Sequence, residues 1–348
     1  MNSLPTVISR EIRLVSRPSG MPTAANFALV PTELPPLQDQ QVLVRNLYLS
    51  VDPYMRGRMN DRPSYVPPFA LDQALEGGAV GEVVASRAAG FQPGDAVVSL
   101  LGWREHFIAA PAQLRVVSRA VEPLSVYLGA LGMTGLTAWA GLKMMDVKAS
   151  DVVYLSGAAG AVGSVAGQLA KLRGCRVIGS AGSPEKVRFL REECGCDAAF
   201  DYSAGPLLAQ LQAAAPDGID VYFDNVGGDA LEAALTVLRP HGRIIACGSI
   251  TVYNDEKPRP GPTNLFNMIT KRLTMKGLIV RDWLPQLAEF EREVGGYLRA
   301  GRLRSKETIV TGLDQTVGAF LGLFHGQNTG KMIVSLASPP AEKLPTSW

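Results

Sequence analysis

The feature that most constrains the fold is a turn of small residues, Ser156-Gly-Ala-Ala-Gly-Ala-Val-Gly163, which follows a β-branched run and opens a helical pattern. The run is Val152–Leu155, and the helical pattern covers Gly163–Arg173. Glycines in such a turn let a pyrophosphate approach the backbone and let helix pack closely on strand, while the helix N-terminus offers free N–H groups to an anion. The strict G-x-G-x-x-G spacing fails, because Ala158 stands at its first position. A turn of this composition can be purely structural, but the strand–turn–helix order predicts a dinucleotide site that uses Gly157, Gly160, Ala161, Val162 and Gly163.

Beyond this turn, short apolar strands alternate with helical patterns as far as Ala300, which predicts an α/β fold with a doubly wound parallel sheet. The predicted strands are Arg176–Ser180, Ala198–Phe200, Ile219–Phe223, Arg243–Cys247 and Thr274–Val280. The predicted helices are Pro184–Cys194, Leu207–Ala215, Asp229–Leu238 and Pro285–Ala300, and an earlier one covers Leu124–Met144. The Pro-rich stretch Thr251–Asn264 is expected to be a loop, and a lid over a site is one role for it.

The first ~120 residues have a different pattern, with short alternating runs separated by Pro and Gly. Gln41–Leu49 and Gly78–Ala85 alternate like strands, and Phe91–Leu101 is a turn followed by a strand. This spacing predicts a β-rich, barrel-like unit. Ile309–Val310 and Lys331–Val334 are predicted strands that return to that unit.

Cysteine and histidine are scarce, and this excludes several kinds of chemistry. The chain has 4 Cys and 3 His in 348 residues, with no C-x-x-C or H-E-x-x-H spacing, so we expect neither a disulfide framework nor a metal site. Net charge is +2, which gives no basic field for nucleic acid or an anionic membrane. No run approaches the ~20 apolar residues of a membrane span, and the N-terminus lacks the apolar core of a signal peptide. We therefore expect a cytoplasmic protein.

The end of the second strand indicates which dinucleotide binds. NAD sites usually carry Asp or Glu there for the ribose hydroxyls, whereas here the sequence is Ile178-Gly-Ser-Ala-Gly-Ser-Pro-Glu-Lys186. Ser180 and Ser183 offer hydroxyls, and Lys186 offers a positive charge in the first turn of the next helix. A 2′-phosphate suits that set, so the sequence favours NADP(H) over NAD. Lys186 can also be an ordinary solvated charge, and Arg188 is a weaker second candidate.

Four motifs in order carry a family resemblance that covers nearly all of the chain: Asn46–Met59, Leu131–Ala138, Asp224–Gly228 and Asn328–Lys331. The chain resembles the zinc-independent medium-chain dehydrogenases/reductases, in the branch of leukotriene B4 12-hydroxydehydrogenase/prostaglandin reductase, plant alkenal reductases and bacterial curcumin reductase. The resemblance implies a Rossmann domain at 126–307 and a β-rich, GroES-like barrel domain built from 1–125 and 308–348. It also implies a homodimer that reduces the C=C bond of α,β-unsaturated aldehydes and ketones with NADPH.

Without a metal, a protein donor must stabilise the charge that develops on the substrate oxygen, and a tyrosine hydroxyl suits this because it stays protonated near neutral pH. The catalytic candidates are Tyr253, after a Rossmann strand, and Tyr54 and Tyr65 in the first domain; each can instead be a packing residue. Tyr253 can hold either the enolate oxygen or the nicotinamide ribose hydroxyl. The resemblance assigns further cofactor contacts to Tyr202, Cys247, Gly248, Ser249, Ile250, Leu278, Ile279 and Val280. Asn225, after a predicted strand, and Asn328, before the final strand, are candidate cofactor contacts from their positions. These two and Tyr202 can instead be structural residues.

Two other functions stay open from the sequence. A quinone oxidoreductase of the same superfamily would share the turn and the NADPH preference. A non-catalytic NADPH-binding protein, such as a crystallin-like or RNA-binding relative, is the other, although the chain has no basic cluster for RNA.

Overall fold

The computed structural model describes residues 7–336, which divide into two compact units. The first unit contains residues 7–128, 309–325 and 332–336, and the second contains 129–308 and 326–331. The sequence did not anticipate the short return of 326–331 to the second unit. The ends of the predicted barrel domain, 1–6 and 337–348, lie outside the described residues. The assignment of 126–307 to cofactor binding and of the flanking segments to catalysis stays a prediction.

The elements follow one another as the alternating patterns suggest. The first unit begins with β1 (Ile8–Leu14), β2 (Phe27–Glu33), β3 (Val42–Ser50), α1 (Met55–Arg58), β4 (Ala79–Ser86), β5 (Ala96–Ser99), β6 (His106–Ala109) and β7 (Arg115–Val117). The second contains α2 (Met133–Met144), β8 (Val152–Leu155), α3 (Ala161–Leu172), β9 (Arg176–Ala181), α4 (Pro184–Glu192), β10 (Ala198–Asp201), α5 (Leu207–Ala214), β11 (Ile219–Asp224), α6 (Gly228–Val237), β12 (Leu238–Ala246), α7 (Asn267–Thr270), β13 (Thr274–Gly277) and α8 (Leu287–Arg299). The chain ends with β14 (Glu307–Thr311), α9 (Thr316–Leu323) and β15 (Lys331–Ser335).

The first unit is built on antiparallel pairing. One sheet has the order β14-β15-β3-β4-β5-β7, with β6 also paired to β3, and β1 and β2 form a separate pair. The core between them is apolar and closely packed: Trp103 and Phe320 are buried, and their rings meet edge to face at 5.9 Å. This is the predicted β-rich barrel.

The second unit holds a six-stranded parallel sheet in the order β10-β9-β8-β11-β12-β13. Chain order reverses between β8 and β11, which is the arrangement of a doubly wound Rossmann sheet. The predicted α/β class is confirmed. In such a sheet, ligands bind outside the carboxyl ends of the strands beside the reversal point, so the residues that follow β8, β9, β11 and β12 define where a site can form.

Three predicted element boundaries differ from the structure by more than two residues. The helix predicted over Leu124–Met144 is a 3-10 turn at Leu124–Leu128 followed by α2, because Gly132 is extended at the N-cap of α2. The strand predicted as Arg243–Cys247 begins at Leu238, directly after α6, and passes through Pro240 with a register shift and a positive φ at His241. The strand predicted as Thr274–Val280 ends at Gly277, and a 3-10 turn begins at Val280.

None of the helices within residues 7–336 has the length and apolar composition required to cross a membrane.

Candidate functional site

The turn after β8 has the backbone shape of an anion cradle. Gly157 takes a positive φ of 56°, and Gly160 is the extended N-cap of α3, so the first N–H groups of that helix are available at the turn. A Cβ on Gly163 would lie 2.6 Å from the carbonyl oxygen of Gly157 and 2.7 Å from the Cα of Ala158. Only glycine therefore fits at 163 without moving the turn. Ala161 and Val162 form the first turn of α3 and are partly exposed.

The return segment 326–331 is hydrogen-bonded to this turn. The Gly330 N–H donates to the carbonyl of Ala159 at 2.7 Å, and the Asn328 side-chain amide donates to the Gly330 carbonyl at 2.8 Å. The Thr308 hydroxyl accepts from the Thr329 N–H at 2.9 Å. Asn328, predicted as a cofactor contact, is thus brought close to the turn.

A cluster of polar side chains lies at the carboxyl end of β9. Ser183 is the N-cap of α4, where its hydroxyl accepts from the Lys186 N–H at 3.3 Å. Tyr202 is 48% exposed, and its hydroxyl lies beside Gly182, where a Cβ would meet it at 2.5 Å. Ser183, Lys186 and Tyr202, all named from the sequence, are therefore neighbours at one end of this strand.

The Lys186 ammonium has a definite partner, which the sequence did not indicate. It donates to the carbonyl of Gly326, in the return segment, at 2.6 Å. Burial lowers the pKa of Lys186 below its ordinary value. Glu185 is the acidic residue of the same helical turn and is fully exposed, and backbone and Ser183 hydrogen bonds lower the pKa of its carboxyl.

Ser180 lies differently from the sequence-based expectation. It is 1% exposed, and its hydroxyl is 2.9 Å from the Tyr154 hydroxyl inside the sheet. Its side chain therefore supports the site from behind, and Ser183 is the hydroxyl that faces the surface.

The residues after β11 pack against the turn after β8 (Ser156–Gly163), which we call the phosphate turn. The Asn225 backbone N–H donates to the Ser156 hydroxyl at 3.1 Å, and its side-chain amide donates to the Ser156 carbonyl at 2.9 Å. Gly227 and Gly228 take φ values of 73° and 52°, which lets the chain turn sharply into α6.

The segment after β12 lies alongside that of β11. The backbone N–H groups of Cys247 and Gly248 both donate to the carbonyl of Asp224, at 2.9 and 3.0 Å. Burial, with the Asp224 carboxylate nearby, raises the pKa of the Cys247 thiol to about 12. Ser249 precedes a 3-10 turn that begins at Ile250.

Tyr253 folds back over its own segment. Its hydroxyl accepts from the Ser249 N–H at 3.3 Å, and a Cβ on Gly248 would lie 3.3 Å from that hydroxyl. The ring is thereby held against the 248–249 backbone, at the carboxyl edge of the sheet where the sequence placed it.

Leu278, Ile279 and Val280 follow β13. The Leu278 N–H donates to the Ala246 carbonyl at 3.0 Å and its side chain is buried, whereas Ile279 and Val280 are partly exposed. These residues therefore continue the same carboxyl edge beyond β12.

The other two tyrosine candidates lie in the first unit. Tyr54 precedes α1 and packs against the core of that unit, and burial, with the Asp52 carboxylate nearby, raises the pKa of its hydroxyl. Tyr65 lies close enough to add to that rise and is 53% exposed. Among residues 7–336, no group of three or more His, Cys, Asp and Glu side chains is placed to hold a metal ion.

Sequence reasoning missed a buried polar cluster behind the site, formed by Ser156, Tyr222 and Asp224. Its signal was partly visible, since Asp224 opens the Asp224–Gly228 motif and is an acidic residue at the end of an apolar strand. Only the structure brings Ser156 to it.

Comparison with known proteins covers both units. A family model described as the N-terminal domain of oxidoreductase matches residues 10–117, and one described as zinc-binding dehydrogenase matches residues 161–294. The chain is 38% identical over 332 residues to the NADPH-dependent curcumin reductase of Escherichia coli strain K12, covering 93% of this chain and 96% of that protein. It is 43% identical over 306 residues to the 2-alkenal reductase (NADP(+)-dependent) of Nicotiana tabacum, covering 87% and 89%. The solved structure of CurA in complex with NADPH from Vibrio vulnificus matches with a TM-score of 0.90 and 39% identity, over 95% of this chain and all of that one (100%).

Proposed function

The chain belongs to the zinc-independent medium-chain dehydrogenases/reductases, in the branch of the alkenal, curcumin and prostaglandin reductases. From this membership we propose that it reduces the C=C bond of α,β-unsaturated aldehydes and ketones with NADPH. It is an NADP-dependent oxidoreductase. The structural observation that supports NADPH as the cofactor is the cradle after β8, together with Lys186, Ser183 and Tyr202 at the end of β9. Relatives named as NADP-dependent 2-alkenal and curcumin reductases support the choice of substrate class.

The residues present fit NADPH. A glycine is required at 163 by the approach of Gly157 and Ala158, and a bare backbone with free helix N–H groups suits a pyrophosphate. The 2′-phosphate would be held by Lys186, Ser183 and Tyr202, which supply an ammonium and two hydroxyls. Asn225, Asn328 and the 247–250 segment would line the remainder of the cofactor.

When bound, NADPH would supply the hydride that adds to the β-carbon of the substrate. The α-carbon would be protonated by solvent or by a tyrosine. The chain's own task is to hold the carbonyl oxygen as it becomes negative. Removing a single donor from an oxyanion site typically costs ~10²–10³ in rate. We assign this donor role first to Tyr253, whose hydroxyl is oriented by the Ser249 N–H.

Tyr54 and Tyr65 are the alternative donors. Burial raises the pKa of Tyr54, so its hydroxyl stays protonated through the neutral range and remains able to donate. Tyr65 is 53% exposed, so its hydroxyl is accessible to a substrate.

We further propose that the protein is a homodimer that pairs through β13. All four residues of β13 are exposed, and in the described part of the chain β13 pairs only with β12. Exposed apolar side chains flank it: Phe266, Ile269 and Leu265 are among the most exposed large hydrophobics, and Met275 lies on the strand itself. An open strand edge can pair with the same edge of a second copy about a twofold axis, and the neighbouring apolar side chains would be buried by that contact. A sedimentation experiment on wild type and Ile269→Asp tests this; a wild-type monomer at micromolar concentration would overturn it.

The reductase proposal is tested by NADPH consumption over a panel of 2-alkenals, enones, curcuminoids and quinones. We expect turnover of alkenals or enones with formation of the saturated carbonyl, measured by mass spectrometry. Preference for quinones would favour the quinone oxidoreductase, and tight NADPH binding without turnover would favour a binding protein. Tyr253→Phe then tests the donor assignment: a kcat equal to wild type would remove Tyr253 from the mechanism.

A further inference from the structure

The side chain of Asp224 lies behind the cofactor-binding turns, is 3% exposed, and concentrates its hydrogen bonds on one oxygen. Its Oδ1 accepts from the backbone N–H groups of Val226 and Gly227, at 2.9 and 2.8 Å. The Tyr222 hydroxyl lies 2.7 Å and the Ser156 hydroxyl 3.3 Å from the same oxygen. A buried carboxylate oxygen surrounded by donors is a rigid anchor, because every departure from the geometry leaves a buried polar group unpaired.

The partners of Asp224 belong to two different turns. Val226 and Gly227 lie in the segment between β11 and α6, whereas Ser156 is the first residue of the turn after β8. Ser156 extends the connection, since its hydroxyl accepts from the Asn225 N–H at 3.1 Å and its carbonyl accepts from the Asn225 side-chain amide at 2.9 Å. One carboxylate therefore sets the relative position of the phosphate turn and the Asn225 segment.

A third segment is fixed by the same residue through its backbone. The Asp224 carbonyl accepts from the N–H groups of Cys247 and Gly248. The three segments that follow β8, β11 and β12 thus meet at Asp224, although Asp224 itself is buried beneath them.

We propose that Asp224 is a positioning residue for cofactor binding, which holds the phosphate turn at Ser156 in register with the Asn225–Gly227 segment. The proposal rests on the proposed NADPH-dependent function and goes beyond it, because it assigns a role to a residue that does not face the ligand. Asp224 acts through Ser156 and the backbone of Val226 and Gly227.

The decisive variant is Asp224→Asn, which keeps the shape and one acceptor oxygen but removes the negative charge. Hydrogen bonds to a charged group are stronger than those to a neutral one, so the anchor weakens while the core stays filled. We expect the Kd for NADPH, measured by titration calorimetry on the full chain, to rise by about 10-fold or more, a change of about 1.4 kcal/mol.

Asp151 provides a matched control, because it is another buried aspartate in the same unit. It lies at the opposite end of β8 and is held by Arg243 at 2.6 Å and by the Lys148 N–H at 2.7 Å. Asp151→Asn should lower the Tm of the ligand-free chain and leave the Kd for NADPH within about 2-fold of wild type. Equal losses of NADPH affinity in both variants would mean a general loss of stability and would overturn the proposal.

A double-mutant cycle tests whether Asp224 acts on NADPH binding through Ser156. If Asp224 acts through Ser156, the effects of Ser156→Ala and Asp224→Asn on the Kd for NADPH should be non-additive. The double variant should then bind NADPH about as weakly as the single variant that binds it more weakly. Additive losses, or an Asp224→Asn chain that binds NADPH like wild type, would overturn the proposal. If Asp224→Asn does not fold, Tyr222→Phe and Ser156→Ala each remove one hydroxyl from the Asp224 Oδ1 and should each raise the Kd for NADPH; an unchanged Kd in both would overturn the proposal. A wild-type chain that does not bind NADPH would instead refute the proposed function.

Discussion

Replacing Lys186 with alanine should change which cofactor the protein prefers. The Lys186 ammonium is partly buried and donates to the Gly326 carbonyl at 2.6 Å, so it is already held at the end of β9. A hydrogen bond to a charged group contributes about 1.5–3 kcal/mol, and a 2′-phosphate would replace a carbonyl partner that contributes about 1 kcal/mol. The net contribution is then about 0.5–2 kcal/mol, which corresponds to about a 2- to 30-fold increase in KM for NADPH. NADH lacks the 2′-phosphate, so its KM should change little.

The assay compares kcat/KM for NADPH and NADH with one enone substrate in wild type and variant. Lys271→Ala is the matched control, because Lys271 is also partly buried, also has a pKa lowered by burial, and also donates to a backbone carbonyl, that of Thr236 at 2.6 Å. The control should lose stability without altering the NADPH to NADH ratio. If Lys186→Ala changed kcat/KM equally for both cofactors, or for neither, the assignment of Lys186 to the 2′-phosphate would be refuted.

Three further predictions follow from the structure. Gly163→Ala places a Cβ 2.6 Å from the Gly157 carbonyl oxygen, so we expect the Kd for NADPH to rise by about 10-fold or more. Gly296→Ala is the control: a Cβ there meets nothing within 4 Å, so NADPH binding should be unchanged. Burial lowers the pKa of His106, and its Nδ1 has no partner among the described residues, so the folded chain binds that proton less readily than the unfolded chain. Stability should therefore fall as pH drops from about 7 through the ordinary His pKa of about 6.5, and His106→Gln should flatten a Tm-against-pH profile in that window; parallel profiles would contradict it. Burial raises the pKa of Cys175 to about 11 and of the other three thiols to about 12. Iodoacetamide at pH 7.5 should therefore label the folded chain at least about 100-fold more slowly than the urea-unfolded chain. Rapid labelling of the folded chain would contradict this.

The elements of the parallel sheet were predictable because each has a local cause. Val152–Leu155 is a β-branched run directly before a glycine turn, and Pro184 after Ser183 marks the first turn of a helix whether or not the rest of the chain is known. Pro240 illustrates the opposite case. Proline usually ends a strand, but here β12 passes through it because the register against β11 shifts and His241 takes a positive φ of 65°.

The supporting parts of the candidate site were not predictable for a different reason. Lys186 and Gly326 are 140 residues apart, and Ser156 and Asp224 are 68 apart, so no local pattern connects them. Ser180 shows the same limit at one position: the sequence places it correctly at the end of β9, but only the fold shows that its hydroxyl meets Tyr154 inside the sheet. Residue type and strand position identify which residues lie near the candidate site. Contacts between distant segments of the chain determine what each side chain does there.

The return of residues 326–331 gives the proposed cofactor site a component that the alternating strand–helix pattern alone would not supply. Gly330 has a φ of 70°, and a Cβ there would lie 2.0 Å from the Lys306 carbonyl, so the crossing is possible only for glycine. At this crossing Gly330 donates to Ala159, which ties the segment to the phosphate turn, while Gly326 accepts from Lys186 at the end of β9. The same short segment therefore contacts both places where NADPH phosphates would bind. If Lys186 binds the 2′-phosphate as proposed, that phosphate would compete with the Gly326 carbonyl for the lysine, and cofactor preference would then depend on the path of this segment as well as on Lys186.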